Sequence, residues 1–198
     1  MGGRRRGTGA GDPRLRLVAD DRSFGQVLRA AREGESHAWH ELFRSHAGRV
    51  LAYLRAQGAP EPEDLTSEVF LRVFARLSTF EGDEQQFRAW LFTVAHRILI
   101  DDVRRRRRRP VTTDASPHLE LIVAGDVEDE ALGNVGREWA AALIASLPEA
   151  QRDVVALRVI ADLPLAEVAA VLGKRTGAVK ALQHRALGAL RRHLEVGS

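Results

Sequence analysis

Apolar residues recur at helical spacing along most of the chain, and the two-residue alternation of a half-buried strand is nearly absent. Phe24, Val27, Leu28 and Ala31 mark a short amphipathic helix over 23–33. Trp39, Leu42, Phe43, Val50, Leu51 and Leu54 form one broad stripe over 36–56, which Gly58 and Pro60 bring to a stop. Pro62 opens the next helix, where Glu61, Glu63 and Asp64 suit the positive end of its dipole. Val69, Phe70, Val73, Phe74 and Leu77 continue it. The polar stretch STFEGDEQQ (78–86) predicts a loop that bends at Gly82. From about Phe87 a long helix runs into a block of arginines, with Trp90, Leu91, Val94, Ile98 and Leu99 on its apolar side. These segments suffice to enclose one small helical core.

Residues 111–135 lose the periodicity and contain Pro117, Gly125 and Gly133, as a linker would. A second helical group follows from near Gly136, over 137–146, 148–161, 164–172 and 176–194. Pro148 and Pro164 fall where a first helical turn tolerates proline. The predicted class is all-α, with two small helical domains joined by an acidic flexible linker. The boundaries are a flexible basic tail over 1–22, a first domain over 23–110, the linker over 111–135 and a second domain over 136–195.

Composition narrows the classes. Apolar residues are 44% of the chain, which allows packed cores and argues against global disorder. The absence of cysteine excludes disulfides, thiolate metal sites and a cysteine nucleophile, and it fits a reducing cytoplasm. No apolar run approaches the roughly 20 residues of a membrane span. The Gly/Arg-rich start lacks the apolar core of a secretory signal. Net charge is only +3, but sign is segregated. Residues 111–135 hold Asp114, Glu120, Asp126, Glu128, Asp129 and Glu130 without a Lys or Arg. Residues 174–194 hold Lys174, Arg175, Lys180, Arg185, Arg191 and Arg192 without an acid. Separate surfaces for separate partners follow, the basic one for a polyanion.

The stretch LPLAEVAAVLGKRTGAVKALQHRALGALRRHL (163–194) is the most informative. A short helix turns Leu165, Val168, Ala169 and Leu172 inward, and Gly173 ends it as a left-handed cap. A second helix buries Val179, Leu182, Ala186 and Leu190. At 100° per residue, Lys180, Ala181, His184, Arg185, Arg191 and Arg192 take the other side. Short helix, tight turn and basic second helix make a helix-turn-helix, whose second helix enters the major groove. Gly177 and Ala181 permit close approach, while Arg175 and Thr176 sit at the helix start, where phosphates bind. Both lysines of the chain, Lys174 and Lys180, lie in this stretch.

In DLTSEVFLRVFARL (64–77), Asp64, Glu68 and Arg72 are spaced at i, i+4 and i+8. Alone this predicts only a Glu68–Arg72 pair on a helix surface. Together with FRAWLFTVAHRILIDDVRRRRRR (87–109) it resembles regions 2.2 to 2.4 of an extracytoplasmic-function (ECF) sigma factor, the minimal two-domain branch of the bacterial sigma-70 family. SLPEAQRDVVALRVIADLPLAEVAAVLGKRTGAVKALQHRAL (146–187) resembles region 4 of the same family. The resemblance spans residues 23–194 and supplies a reason for two domains: they would meet promoter elements about two helical turns apart.

The resemblance assigns roles by position. Asp64, Glu68 and Phe70 match the motif that docks on the clamp helices of the β′ subunit of core RNA polymerase, whose β subunit is a further implied partner. An acidic pair beside an apolar neighbour suits a basic coiled coil. Loop 78–86, with Phe80, Glu81 and Asp83, corresponds to the pocket that captures a flipped base of the −10 element. Phe87 and Trp90 match the aromatic end of region 2.3, and their place on the apolar stripe suits core packing equally well. Arg97, Asp101, Arg104 and Arg105 fall along −10 DNA. Six arginines, Arg104 to Arg109, cannot all face one DNA backbone at 100° steps, so Arg106 to Arg109 are expected to form a fraying basic end. Arg175, Thr176, Lys180, His184 and Arg185 correspond to the −35 contacts, and the acidic linker to a segment along the polymerase's own nucleic-acid path. The resemblance further implies promoter DNA as partner, sequestration by an anti-sigma factor, no cofactor and no enzymatic chemistry. Where many relatives carry Ser-Arg this chain has Ala181-Leu182, and where many carry Arg-Asn it has His96-Arg97, so no promoter sequence is transferred.

Two other classes make distinct predictions. A stand-alone helix-turn-helix regulator would bind its site without polymerase. An enzyme would need a constellation that is missing. In WHELFRSH (39–46) the second histidine, His46, lies at i+6 from His40 rather than the i+4 of a zinc-binding helix. The pair His37 and His40 is of an incidental kind. Neither a GxxxxGK[ST] phosphate loop nor a GxSxG elbow occurs.

Overall fold

A computed structural model describes residues 23–108 and 143–196, with side chains described as far as Arg192. The basic tail (1–22), the acidic linker (111–135) and most of the helix expected over 137–146 lie outside the described residues. Among the described residues every regular element is helical. In chain order these are α1 (Phe24–Arg32), α2 (Ser36–Ala56), α3 (Pro62–Phe74), a 3-10 turn (Leu77–Thr79), α4 (Glu84–Arg108), α5 (Glu149–Val159), α6 (Leu165–Leu172) and α7 (Thr176–Val196).

The first unit forms because three apolar stripes meet. α3 packs between α2 and α4, and α1 lies along α2. Leu42, Val50, Leu54, Val69, Phe87, Leu91, Phe92 and Ile98 are almost wholly buried between them. Helix starts are set by local chemistry. Ser23 N–H donates to Gln26 Oε1 at 2.9 Å ahead of α1. Pro62 stands at the start of α3, where its missing N–H costs no hydrogen bond.

α4 is longer than periodicity predicts at both ends. At its start Gln86 N–H donates to Asp83 Oδ1 (2.8 Å) while Asp83 N–H donates to Gln86 Oε1 (2.9 Å). This reciprocal cap moves the start from Phe87 to Glu84 and shortens the expected loop. Gly82 is needed there, because a Cβ would lie 2.7 Å from Gln86 Oε1 and 2.9 Å from Phe80 Cζ. At the far end Arg106 Nε donates to Asp102 Oδ2, and Arg106 Nη2 to Glu61 Oε2, each at 2.8 Å. Asp102 is buried, so it needs this cationic partner. The clamp ties the C-terminal turn of α4 to the segment leading into α3 and extends the helix to Arg108. Arg106 is therefore part of the fold, not of a fraying end.

The second unit packs α5 and α6 against α7 around Leu147, Val154, Leu157, Leu163, Val168, Val179 and Ala186. Pro148 and Pro164 are N-caps, one position earlier than expected. The two units also meet. α6 packs on α4 and α5 on the C-terminal end of α2, so both cores join in one buried cluster. Arg88 of α4 pairs with Asp162 at 3.2 Å. Asp162 takes a left-handed φ of 52°, which aspartate tolerates better than most residues.

Candidate nucleic-acid and protein interfaces

The outward face of α3 holds the first set. Asp64 is exposed, and Glu68 accepts a short hydrogen bond from Arg72 Nη2, the pair that spacing predicts. Phe70 is not on this face. It is 2% exposed, with its ring 4.7 Å from Phe43 and 5.6 Å from Phe74. It positions the helix rather than presenting itself to a partner. The apolar side chain beside the acids is instead Leu71, 72% exposed and within about 20° of Asp64 in helical phase. The i, i+4, i+7 spacing of Asp64, Glu68 and Leu71 is legible in the sequence, as is the place of Phe70 on the apolar stripe; the docking role for Phe70 came from the resemblance alone.

The second set surrounds the turn before α4. Phe80 stacks on Trp90 (centroids 5.0 Å apart, planes 13° apart) and meets Phe87 edge-on at 5.6 Å. Phe87 is fully buried and belongs to the core. Phe80 and Trp90 are half-buried and form one wall of a concavity of about 380 Å³, which Arg76, Thr79 and Glu81 complete. An aromatic floor with a guanidinium donor and a carboxylate acceptor matches the stacking and edge-pairing needs of an unstacked base. Asp83 does not line it, since its carboxylate caps α4. Arg76 and Thr79 escaped sequence reasoning because the 3-10 turn folds them beside Glu81.

The third set runs along α4. Arg97, Asp101, Arg104 and Arg105 are all exposed. Arg97, Asp101 and Arg104 fall within about 60° in helical phase, with Arg105 on the flank. Asp101, Arg104, Arg105 and Arg108 line one open concavity of about 480 Å³. His96, one residue from Arg97, turns inward, and its Nδ1 lies 2.9 Å from the Tyr53 hydroxyl. Burial holds the His96 pKa below the ordinary histidine value and pushes the Tyr53 phenol up.

The fourth set is the helix-turn-helix. Gly173 has φ 61° and ψ 33°, the left-handed cap that its position requires. Val168, Ala169, Val179 and Ala186 are buried, and Leu165, Leu172, Leu182 and Leu190 half-buried. Arg175, Thr176, Lys180, His184 and Arg185 are all exposed. The Arg175 carbonyl accepts from Ala178 N–H (2.9 Å) and Val179 N–H (3.1 Å), which sets Arg175 at the mouth of α7. His184 and Arg185 share a concavity of about 430 Å³ with Pro148, Gln151 and Arg192.

Between the units, Asp153 of α5 lies near Tyr53 and Gln57 of α2. Burial pushes its carboxyl to about 6; Glu149 adds to the rise, while Arg152, Gln57 and Lys174 oppose it. Gln57 Nε2 is buried without hydrogen-bond geometry to any partner among the described residues. This contact is polar and incompletely satisfied.

Known proteins share the two-region organisation. The family model for sigma-70 region 2 matches residues 42–109, and that for sigma-70 region 4 matches residues 143–192. The chain is 34% identical over 183 residues to the ECF RNA polymerase sigma factor BldN of Streptomyces coelicolor, covering 89% of this chain and 67% of that one. It is 34% identical over 179 residues to ShbA of Streptomyces griseus, also an ECF RNA polymerase sigma factor, covering 85% and 93%. In fold it is similar to CnrH in complex with the cytosolic domain of CnrY, with TM-score 0.61, 23% identity and coverage of 87% and 97%. It is also similar to RpoE of Bartonella quintana in complex with the anti-sigma factor NepR, with TM-score 0.52, 19% identity and coverage of 88% and 95%. With both regions matched in order, and a third of its residues shared with sigma factors along most of its length, the chain belongs to the ECF sigma factors, which initiate transcription and are not enzymes.

Proposed function

We propose that this sigma factor docks on the β′ clamp helices of core RNA polymerase through Asp64 and Glu68 and reads −35 DNA with α7. The −10 element would be read by α4 and the pocket beside Trp90. The observation that carries this reading is the exposure of Arg175, Thr176, Lys180, His184 and Arg185 on the second helix after a left-handed Gly173. That is the geometry of a major-groove reader. Two elements two turns apart lie about 70 Å apart on B-DNA, whereas α6 here touches α4. Engaging both elements therefore requires the two units to part. The reading includes the β subunit as a second docking site and an anti-sigma factor as a further partner, and it places the protein in the cytoplasm. One of the similar structures is of a sigma factor held by an anti-sigma factor.

The test is a pull-down with core enzyme combined with promoter binding. Co-purification with β′ is expected, and reversing both Asp64 and Glu68 to lysine is expected to abolish it. Unaltered core binding by that double variant removes the two residues from the interface. Tight binding of the free protein to promoter DNA, at about 10⁻⁸ M without polymerase, replaces the whole reading with a stand-alone regulator.

A further inference from the structure

The arginine run divides into two jobs. At 100° per residue, Arg108 falls within about 40° of Asp101 and Arg104, and about 160° from Arg106. The structure bears out that division. Arg106 is held by Asp102 and Glu61 on the inner side. Arg104, Arg105 and Arg108 open on the concavity they share with Asp101. Neither Arg104 nor Arg108 has a carboxylate partner among the described residues, and Arg105 is only loosely associated with Asp102, at 3.9 Å. The ordinary reason for arginines in a last helical turn is the negative end of the helix dipole. That accounts for basic residues near the end of α4, and helical phase gathers three of them around one opening. A dipole end alone repels an anion, so guanidinium charge has to outweigh it before a phosphate is seated there. Three cations against the Asp101 carboxylate leave the concavity net positive.

We propose that Arg104, Arg105 and Arg108 form one phosphate-binding bowl at the C-terminal end of α4, and that Arg108 is a promoter contact while Arg106 is not. The ligand is a backbone phosphodiester of duplex DNA flanking the −10 element. The inference rests on the reading that α4 lies along that element, and it lengthens the contact track. From Arg97 to Arg108 the helix rises about 16 Å, the axial rise of roughly five base pairs. Guanidinium forks suit the geometry, because each can give two parallel N–H donors to phosphate oxygens.

The experiment measures salt dependence of holoenzyme binding to a duplex fragment carrying a promoter that the holoenzyme transcribes from genomic DNA. Losing one phosphate contact lowers the slope of log K against log salt by about 0.9. Arg108→Gln is expected to lower it by that amount, Arg108→Lys to keep it, and Arg104→Gln to lower it as Arg108→Gln does. Arg106→Gln is expected to leave the slope unchanged and lower the urea midpoint of the free protein, whereas Arg108→Gln keeps that midpoint. If Arg104→Gln lowers the slope and Arg108→Gln does not, the bowl is wrong and the placement of α4 stands. If neither lowers it, the placement of α4 on −10 DNA falls too. A lowered slope in Arg106→Gln overturns the division of the run.

Discussion

Asp153 gives the contact between the two units a pH dependence that can be worked out in advance. Its carboxyl is raised from 3.8 to about 6, chiefly by burial. A gap of about two pH units is worth roughly 3 kcal/mol at about 1.36 kcal/mol per unit. The group is only part-buried, so screening by solvent reduces that to about 1–2 kcal/mol. A carboxyl raised in the folded state binds its proton more tightly there than in the unfolded chain. The penalty is absent below the unfolded value, grows as pH rises from about 4 to 6, and is fully present above 6. The groups facing it are Tyr53 and Gln57 of α2, Glu149 and Arg152 of α5, and Lys174 after α6. Neighbouring His96 acts in the opposite direction. Its lowered pKa means that stability is lost as pH falls below the ordinary histidine range. The two effects overlap, so the comparison must be with Asp153→Asn, which removes one and keeps the other. Urea unfolding of both proteins at pH 4.5, 6 and 7.5 is the assay. Asp153→Asn is expected to gain about 1–2 kcal/mol over the parent at pH 7.5 and clearly less at pH 4.5, where the penalty is only partly present. An unchanged difference across the range, or a less stable variant at pH 7.5, would refute the burial argument.

Other outcomes follow from single contacts. Phe70→Ala should cost about 3–5 kcal/mol, while Leu71→Ala next to it should stay within about 0.5 kcal/mol; wild-type stability in Phe70→Ala would restore Phe70 to the docking face. Gly82→Ala should weaken the Asp83–Gln86 cap and disturb Phe80, read as a lower melting temperature together with reduced promoter opening on permanganate footprinting; full opening at wild-type stability would count against the aromatic pocket. Lys180→Ala should reduce transcription from a cognate promoter without impairing core binding, and unaffected run-off transcription would show that α7 is not the reading helix.

Helices, the stops between them and the helix-turn-helix are legible in the sequence alone. Each rests on local chemistry: the proline that opens α3, the left-handed Gly173, and the phase that turns Lys180 about 100° away from buried Val179. The position of Arg105 and Arg108 near one another was also implicit in helical phase. Packing between helices settles what local rules leave open. The resemblance sets Phe70 among the docking residues although its phase is that of the apolar stripe; packing of α3 between α2 and α4 buries it and leaves Leu71 in solvent. In the sequence Asp83 reads as a residue of the base pocket and Arg106 as part of a fraying basic end. One became a helix cap, because Gln86 lies a turn away, and the other a clamp, because the fold brings Glu61 beside buried Asp102. The docking of α6 on α4 has no sequence signature, since it depends on residues such as Arg88 and Asp162 that lie 74 positions apart. Local rules act within one helical turn, while the assignment of a polar side chain to structure or to a partner depends on neighbours that only the folded chain supplies.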